Sequence, residues 1–332
     1  MPDPAQPRQP RQPVLKPSVW SPRPIPKPVE PRRTADPVTP TLKELEARAQ
    51  EQASRLTQAA ALATQAAPEP PASPCAKQGA LANPAAAPAF ANGMRELQGK
   101  WPGLDEDGKL AFLQNLVNAP LKSAGVPTVT VVSADLVGER TGLFDAPNWL
   151  LEIRKSSVDA KTLSDGDAQE LAKTAYHEAR HAEQYFLAAR REAATERDAR
   201  TLHYKTGVSS SAMRAALNHP LPGTRPDSST VASSDGLGAP PAPLVACADA
   251  MRAALITNRQ TRGTVINTMD AKGQALAHAP TRATYDRAKQ EYQAAVSAYL
   301  ALPEERDAWA LEPLVADAWA ATHPQPARAA AP

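Results

Sequence analysis

Tyr176-His177-Glu178-Ala179-Arg180-His181 places two imidazoles four residues apart, with a carboxylate directly after the first. On a helix, residues i and i+4 lie one above the other, so His177 and His181 offer ring nitrogens to one ion. Glu178 then sits about 100° round, close enough to touch a water on that ion. Random placement in a chain with six histidines gives about 0.006 such patterns, so the match is informative. A structural metal site has no need of an unligated carboxylate and usually closes its fourth position with Cys. The pattern points instead to a metal-activated water with Glu178 as its base.

The motif needs a helix to carry it, and the surrounding residues supply one. Ser164 caps a stretch running from 165 to about 203, closed by Gly207, and no Pro or Gly interrupts 167–202. Just upstream, residues 147–154 alternate Trp149, Leu151 and Ile153 against Leu150, Glu152 and Arg154, the pattern of a strand. Another strand is expected within 126–136. A helix over 105–118, stopping before Pro120, carries Leu110, Leu113, Leu116 and Val117. Further helices are expected around 209–218, 244–278, 281–302 and 303–319. The fold class read from this order is α+β, mostly α.

Proline divides the chain. Of 35 Pro, 13 lie in residues 1–40, where they alternate with Arg, Lys and Gln and favour extended conformers over secondary structure. This segment is read as a disordered basic arm. Residues 41–66 follow as an amphipathic, Ala-rich helix opened by the capping box Thr41-Leu-Lys-Glu44. Six Pro between 68 and 88 mark 67–89 as a linker. The body is read over 90–322, with 219–243 as an internal flexible loop and 323–332 as a disordered tail. The arm carries a net charge of +4, which leaves the rest of the chain near −2, so a nucleic-acid-binding body is disfavoured. Only two cysteines are present, and Cys75 falls in the linker, so the fold is expected not to depend on a disulfide. No apolar run suggests a signal peptide or membrane span, which reads as synthesis in the cytoplasm with any export by a signal-peptide-independent route.

The HExxH motif resembles that of the zincin metallopeptidases. The resemblance implies one zinc ion held by His177 and His181, Glu178 as the general base, and a protein or peptide substrate. Zincins typically offer a strand edge to an extended peptide, which on this sequence assigns Trp149, Leu151 and Ile153 to substrate binding. Gln184 and Leu187 stand where the metzincin extension would need Gly and His, so that branch is excluded. Gln184, together with Pro303-Glu304-Glu305-Arg306-Asp307-Ala308, is similar to the HExxHxxQ and Pro-x-Glu-x-x-Ala segments of metallopeptidase domains in bacterial polymorphic toxins and secreted effectors.

A catalytic zinc requires a third protein ligand, and Glu192 lies about 16 Å further along the helix axis than His181, too far to serve. The Pro-x-Glu-x-x-Ala pattern assigns the role to Glu305, with Glu304 and Glu312 as alternatives. Tyr185, Tyr299 and His203 are candidates for an oxyanion donor. Asp307 reads either as an acceptor for a ligand histidine or as an exposed helix charge. Two functional readings stay open at this point. One is a zinc endopeptidase delivered as an effector or toxin, with residues 1–66 engaging delivery machinery or an adaptor. The other is an interaction protein with a non-catalytic zinc domain.

Overall fold

A computed structural model of the chain describes residue 75 and residues 77–136, 140–221, 241–279 and 281–322. The arm over 1–40, the helix over 41–66, most of the loop over 219–243 and the tail over 323–332 lie outside the described residues.

Ala87, Phe90, Ala91, Met94 and Leu97 recur at helical spacing and form the buried stripe of α1 (Ala86–Lys100). Asp105 caps α2 (Glu106–Ser123) by accepting from the Gly108 N–H, and Leu113, Val117 and Leu121 are its buried residues in the apolar stripe. The helix runs through Pro120 rather than stopping before it. Complete burial of Leu121 in the last turn offsets the one backbone bond that Pro120 removes.

Three short strands follow: β1 (Thr130–Ala134), β2 (Gly142–Asp145) and β3 (Leu150–Arg154). Their order is β1-β3-β2, with β1 parallel and β2 antiparallel to β3. The strand expected at 147–154 therefore sits in the centre of the sheet. Both its edges are paired, and Trp149, Leu151 and Ile153 are buried in the core. Trp149 takes a left-handed φ of 60°, which its ring secures by packing edge-on against Phe144 while its indole N–H donates to the Pro127 carbonyl. Leu151 and Ile153 belong to β3 and Trp149 directly precedes it, so these residues build the core and present no open strand edge. The edge facing the long helix belongs to β2.

After a single turn, α3 (Lys155–Val158), the chain enters α4 (Asp165–Ala193), capped by Ser164 as expected. The helix pauses after Ala193 and restarts as α5 (Ala199–Thr206). Asp198 caps the restart, and Gly207, at φ 73°, ends it. Buried Glu192 anchors the break, accepting from Lys205 at 2.9 Å and from Arg252 at 2.5 Å.

The remaining described elements are all helical: α6 (Ser210–Asn218), α7 (Ala242–Arg252) with a π turn (Ala253–Thr257), α8 (Arg259–Ala277), α9 (Arg282–Leu300), α10 (Pro303–Trp309) and α11 (Glu312–Thr322). The fold is α+β and mostly α. Its centre is α4, which packs against α1, α2, α6, α7, α10, α11, β2 and β3. No helix among the described residues is long and apolar enough to cross a membrane.

The segment read as a linker, 67–89, departs from that reading in its described part. Cys75 and Leu81 are fully buried, and α1 begins inside it. Cys75 is bonded to Cys247 of α7, closing a loop of 172 residues. The Leu81 carbonyl accepts from the Tyr176 hydroxyl at 2.6 Å, and the Tyr176 ring stands edge-on to Phe90. The described core thus begins before residue 90, contrary to the linker reading, and it contains a disulfide that the sequence did not suggest. Of the prolines in this stretch, the described Pro84 and Pro88 flank and enter the first turn of α1 without preventing the strap from packing. Leu81→Ala should lower stability by ~2–5 kcal/mol in denaturant unfolding, as for a core leucine, whereas a true linker residue would shift it by under ~0.5 kcal/mol.

Candidate metal centre

Residues 175–189 of α4 are buried on every side of the helix, so each polar group there has to find its partner inside the protein. His177 and His181 converge as their spacing requires, with Nε2 atoms 3.1 Å apart. Glu305, from the first turn of α10, completes the group. Its Oε2 lies 3.4 Å from His177 Nε2 and 3.5 Å from His181 Nε2. Three atoms at about 2.0–2.1 Å from a tetrahedral zinc stand roughly 3.3 Å from one another, so the triangle has the right size. The Glu305 Oε2 atom is buried and makes no hydrogen bond. Two imidazole nitrogens and an unsatisfied buried carboxylate oxygen, aimed at one point, form a group that could hold a metal ion.

The outer nitrogens of both rings are held. His177 Nδ1 lies 3.0 Å from Glu312 Oε1, and His181 Nδ1 lies 2.8 Å from Gln184 Oε1. Such bonds fix the tautomer that turns Nε2 toward a metal. Gln184 is itself fixed, donating to the Glu304 carbonyl at 2.9 Å and to Asp307 Oδ2 at 2.8 Å. Asp307 also accepts from Arg180 Nε at 2.7 Å. Asp307 is accordingly neither an exposed charge nor a direct acceptor from a histidine; it holds the glutamine that holds His181.

The two alternatives for third ligand are engaged elsewhere. Glu304 pairs with Arg262 at 2.6 Å, and Glu312 orients His177 from its far side.

Glu178 points toward β2, where its carboxylate lies close to Gly142 and near the Phe144 backbone N–H. Burial raises its pKa, an effect that the neighbouring imidazoles partly oppose. Gly142 makes this approach possible, because a Cβ there would stand 2.6 Å from Thr174 Cγ2 and 3.0 Å from Glu178 Cγ.

Tyr299 reaches the cluster from α9. Its hydroxyl lies near the Glu305 carboxylate, and burial together with that negative neighbour pushes its pKa far up. Tyr185 is buried beside Phe144, with Arg262 near its ring. His203 instead caps the end of α5, its Nδ1 2.7 Å from the Val208 carbonyl. Sequence reasoning also missed Trp309, a half-exposed ring standing edge-on to His177 at 5.2 Å.

Burial disfavours charge on His177, but the facing carboxylates of Glu305 and Glu312 outweigh burial and raise it to about 10. His181 rises for a similar balance of burial against Glu305. For Glu305, burial is overcome by the two imidazoles, which hold it well below the usual carboxylate range.

No protein-family profile, curated protein or solved structure matches this chain. The functional reading rests on the geometry of the cluster itself.

Glu305→Ala should weaken zinc binding by at least ~10-fold in a chelator competition, while Glu304→Ala should leave it within a few-fold, because only Glu305 faces both imidazoles. The metal-free chain should also show a defined pH profile in thermal melts with chelator. The stabilisation from His177 is full below its ordinary 6.5 and disappears as pH rises toward about 10. That from Glu305 is present above 4.5 and lost on acidification. With zinc present, binding releases protons and should strengthen as pH rises across the same upper range.

Proposed function

We propose that the chain is a single-zinc endopeptidase in which His177, His181 and Glu305 hold the ion and Glu178 acts as general base. When bound, the ion would polarise the scissile carbonyl and make water more acidic. The observation that supports catalysis over a purely structural role is Glu178. It stands beside the three-ligand cluster without joining it, buried, with its carboxylate near the Phe144 N–H. In that position it takes a proton from the attacking water and can later return it to the leaving amine.

Tyr299 is the residue best placed to donate to the developing oxyanion, since its hydroxyl lies near the Glu305 carboxylate. An extended peptide would lie along β2, whose outer edge pairs with no strand among the described residues and whose residues approach Glu178 most closely. Main-chain pairing of this kind recognises peptide with little demand on its sequence. The basic, Pro-rich residues 1–40 and the segment 41–66 are assigned to delivery or partner binding, in keeping with an effector or toxin.

Glu178→Gln tests the mechanism. The amide keeps the shape of the side chain but cannot take up the proton, so zinc content should stay near one per chain while peptide hydrolysis falls by at least ~10²-fold. Hydrolysis by the wild-type protein should also stop on chelation. Undiminished turnover in the variant would remove Glu178 from the chemistry and the peptidase reading with it.

A further inference from the structure

Arg180, the second of the two residues inside the HExxH spacing, is fully buried and does not face the metal cluster. Its guanidinium reaches in two directions. On one side Nε donates to Asp307 Oδ2. On the other, Nη1 donates to the Gln78 carbonyl at 2.8 Å and Nη2 to the Cys75 carbonyl at 2.9 Å. Glu183, also buried, pairs with Arg180 and accepts from the Ala80 N–H.

The strap 75–81 lies directly on α4 at this point. Gly79, at φ 96°, is the residue that allows it: a Cβ there would stand 2.7 Å from Arg180 Nη1. A buried guanidinium is tolerable only while these acceptors stay in place. Two of them are main-chain carbonyls of a segment with almost no secondary structure, whose later end continues into α1 and whose Cys75 end is crosslinked to the body by Cys75–Cys247.

We infer that the Cys75–Cys247 disulfide assembles the metal centre through a relay of positioning residues, Arg180, Asp307 and Gln184, so that the oxidised chain binds metal tightly and the dithiol chain is the latent form. The connection is continuous: strap carbonyls to Arg180, Arg180 to Asp307, Asp307 to Gln184, Gln184 to His181 Nδ1. Freed of its tie, the strap can leave, and Arg180 then loses two acceptors and is driven toward water. Asp307 follows its cation, and Gln184 loses one of the two acceptors that present its oxygen to His181, keeping only the Glu304 carbonyl.

Formation of the bond is a thiol–disulfide exchange. Two cysteine thiols lose two protons and two electrons, and an incoming disulfide, such as oxidised glutathione, is reduced to two thiols. A chain made in a reducing compartment would stay latent there and gain its metal site on entering an oxidising one. This inference rests on the metal-binding reading of the cluster.

The test uses the full chain and measures affinity for zinc by chelator competition, with the visible spectrum of the cobalt-substituted protein as a second readout of ligand geometry. Cys75→Ala/Cys247→Ala should weaken zinc binding ~10–100-fold and alter the cobalt spectrum, the usual scale for losing the partner of a ligand histidine. Wild-type affinity in a double variant that still melts cooperatively overturns the inference and leaves the metal site standing. If the double variant does not melt cooperatively, Asp307→Asn decides, because it cuts the relay with the disulfide intact. Weakened zinc binding there supports the relay, and unchanged affinity overturns it. Failure of the oxidised wild-type chain to bind zinc overturns both this inference and the peptidase reading.

Discussion

A helix buried on all sides gives its polar side chains no water, and from residue 175 to 189 α4 carries His177, Glu178, Arg180, His181, Glu183 and Gln184 in that condition. Each must be matched from another element or cost several kcal/mol as an orphan. That requirement sets much of the architecture around the site. α10 supplies Glu305 and Asp307, α11 supplies Glu312, β2 approaches Glu178 through Gly142, and the strap supplies carbonyls for Arg180. The residues of the candidate metal centre and residues buried for packing alternate along one helix and are satisfied by different neighbours. The polar interior is one connected network, in which moving a member propagates to the metal ligands.

The helices that carry the site were legible because their signals are local. Ser164 and the absence of Gly or Pro through 167–202 announce α4, and the two histidines announce their own convergence. The sheet was half legible. Alternation over 149–153 identifies β3, but β2 is four residues long with one buried side chain, Phe144, too short for a period of two to show. Without β2 in view, β3 was taken for an edge, and residues that build the core were assigned to substrate. Which strand lies outermost is a fact about pairing, and pairing leaves little trace in a single strand's own composition.

The strap failed for a related reason. Six prolines over 68–88 suggest open chain, and the evidence to the contrary is one leucine and one cysteine whose partner stands 172 residues away. Gly79 carries the same information in concealed form. It reads as a linker glycine, yet its conformation and its closeness to Arg180 show a backbone pressed against a helix. Glu312 and Gln184 as holders of the ligand rings were likewise not read. One faces His177 from an element 135 residues later, and the other is distinguished from any exposed glutamine only by total burial.

Three carboxylates crowd the start of α10, and charge balance separates their roles. Glu304, Glu305 and Asp307 are all buried, and a buried carboxylate persists as an anion only beside a cation. Glu304 has Arg262, and Asp307 has Arg180; both guanidinium groups are permanently charged. Glu305 makes no ion pair with a guanidinium: Arg262 lies near enough to act on it but pairs with Glu304. Its closest neighbours are two imidazoles, whose charge depends on taking up protons. When the rings take the neutral form that metal ligation requires, that positive charge is withdrawn from Glu305. A divalent cation at the point faced by His177, His181 and Glu305 supplies what is missing. The same bookkeeping explains why adjacent glutamates, one helical step apart, part ways: Pro303 fixes where the helix begins, and 100° of rotation turns one side chain to an arginine and the next to the histidines.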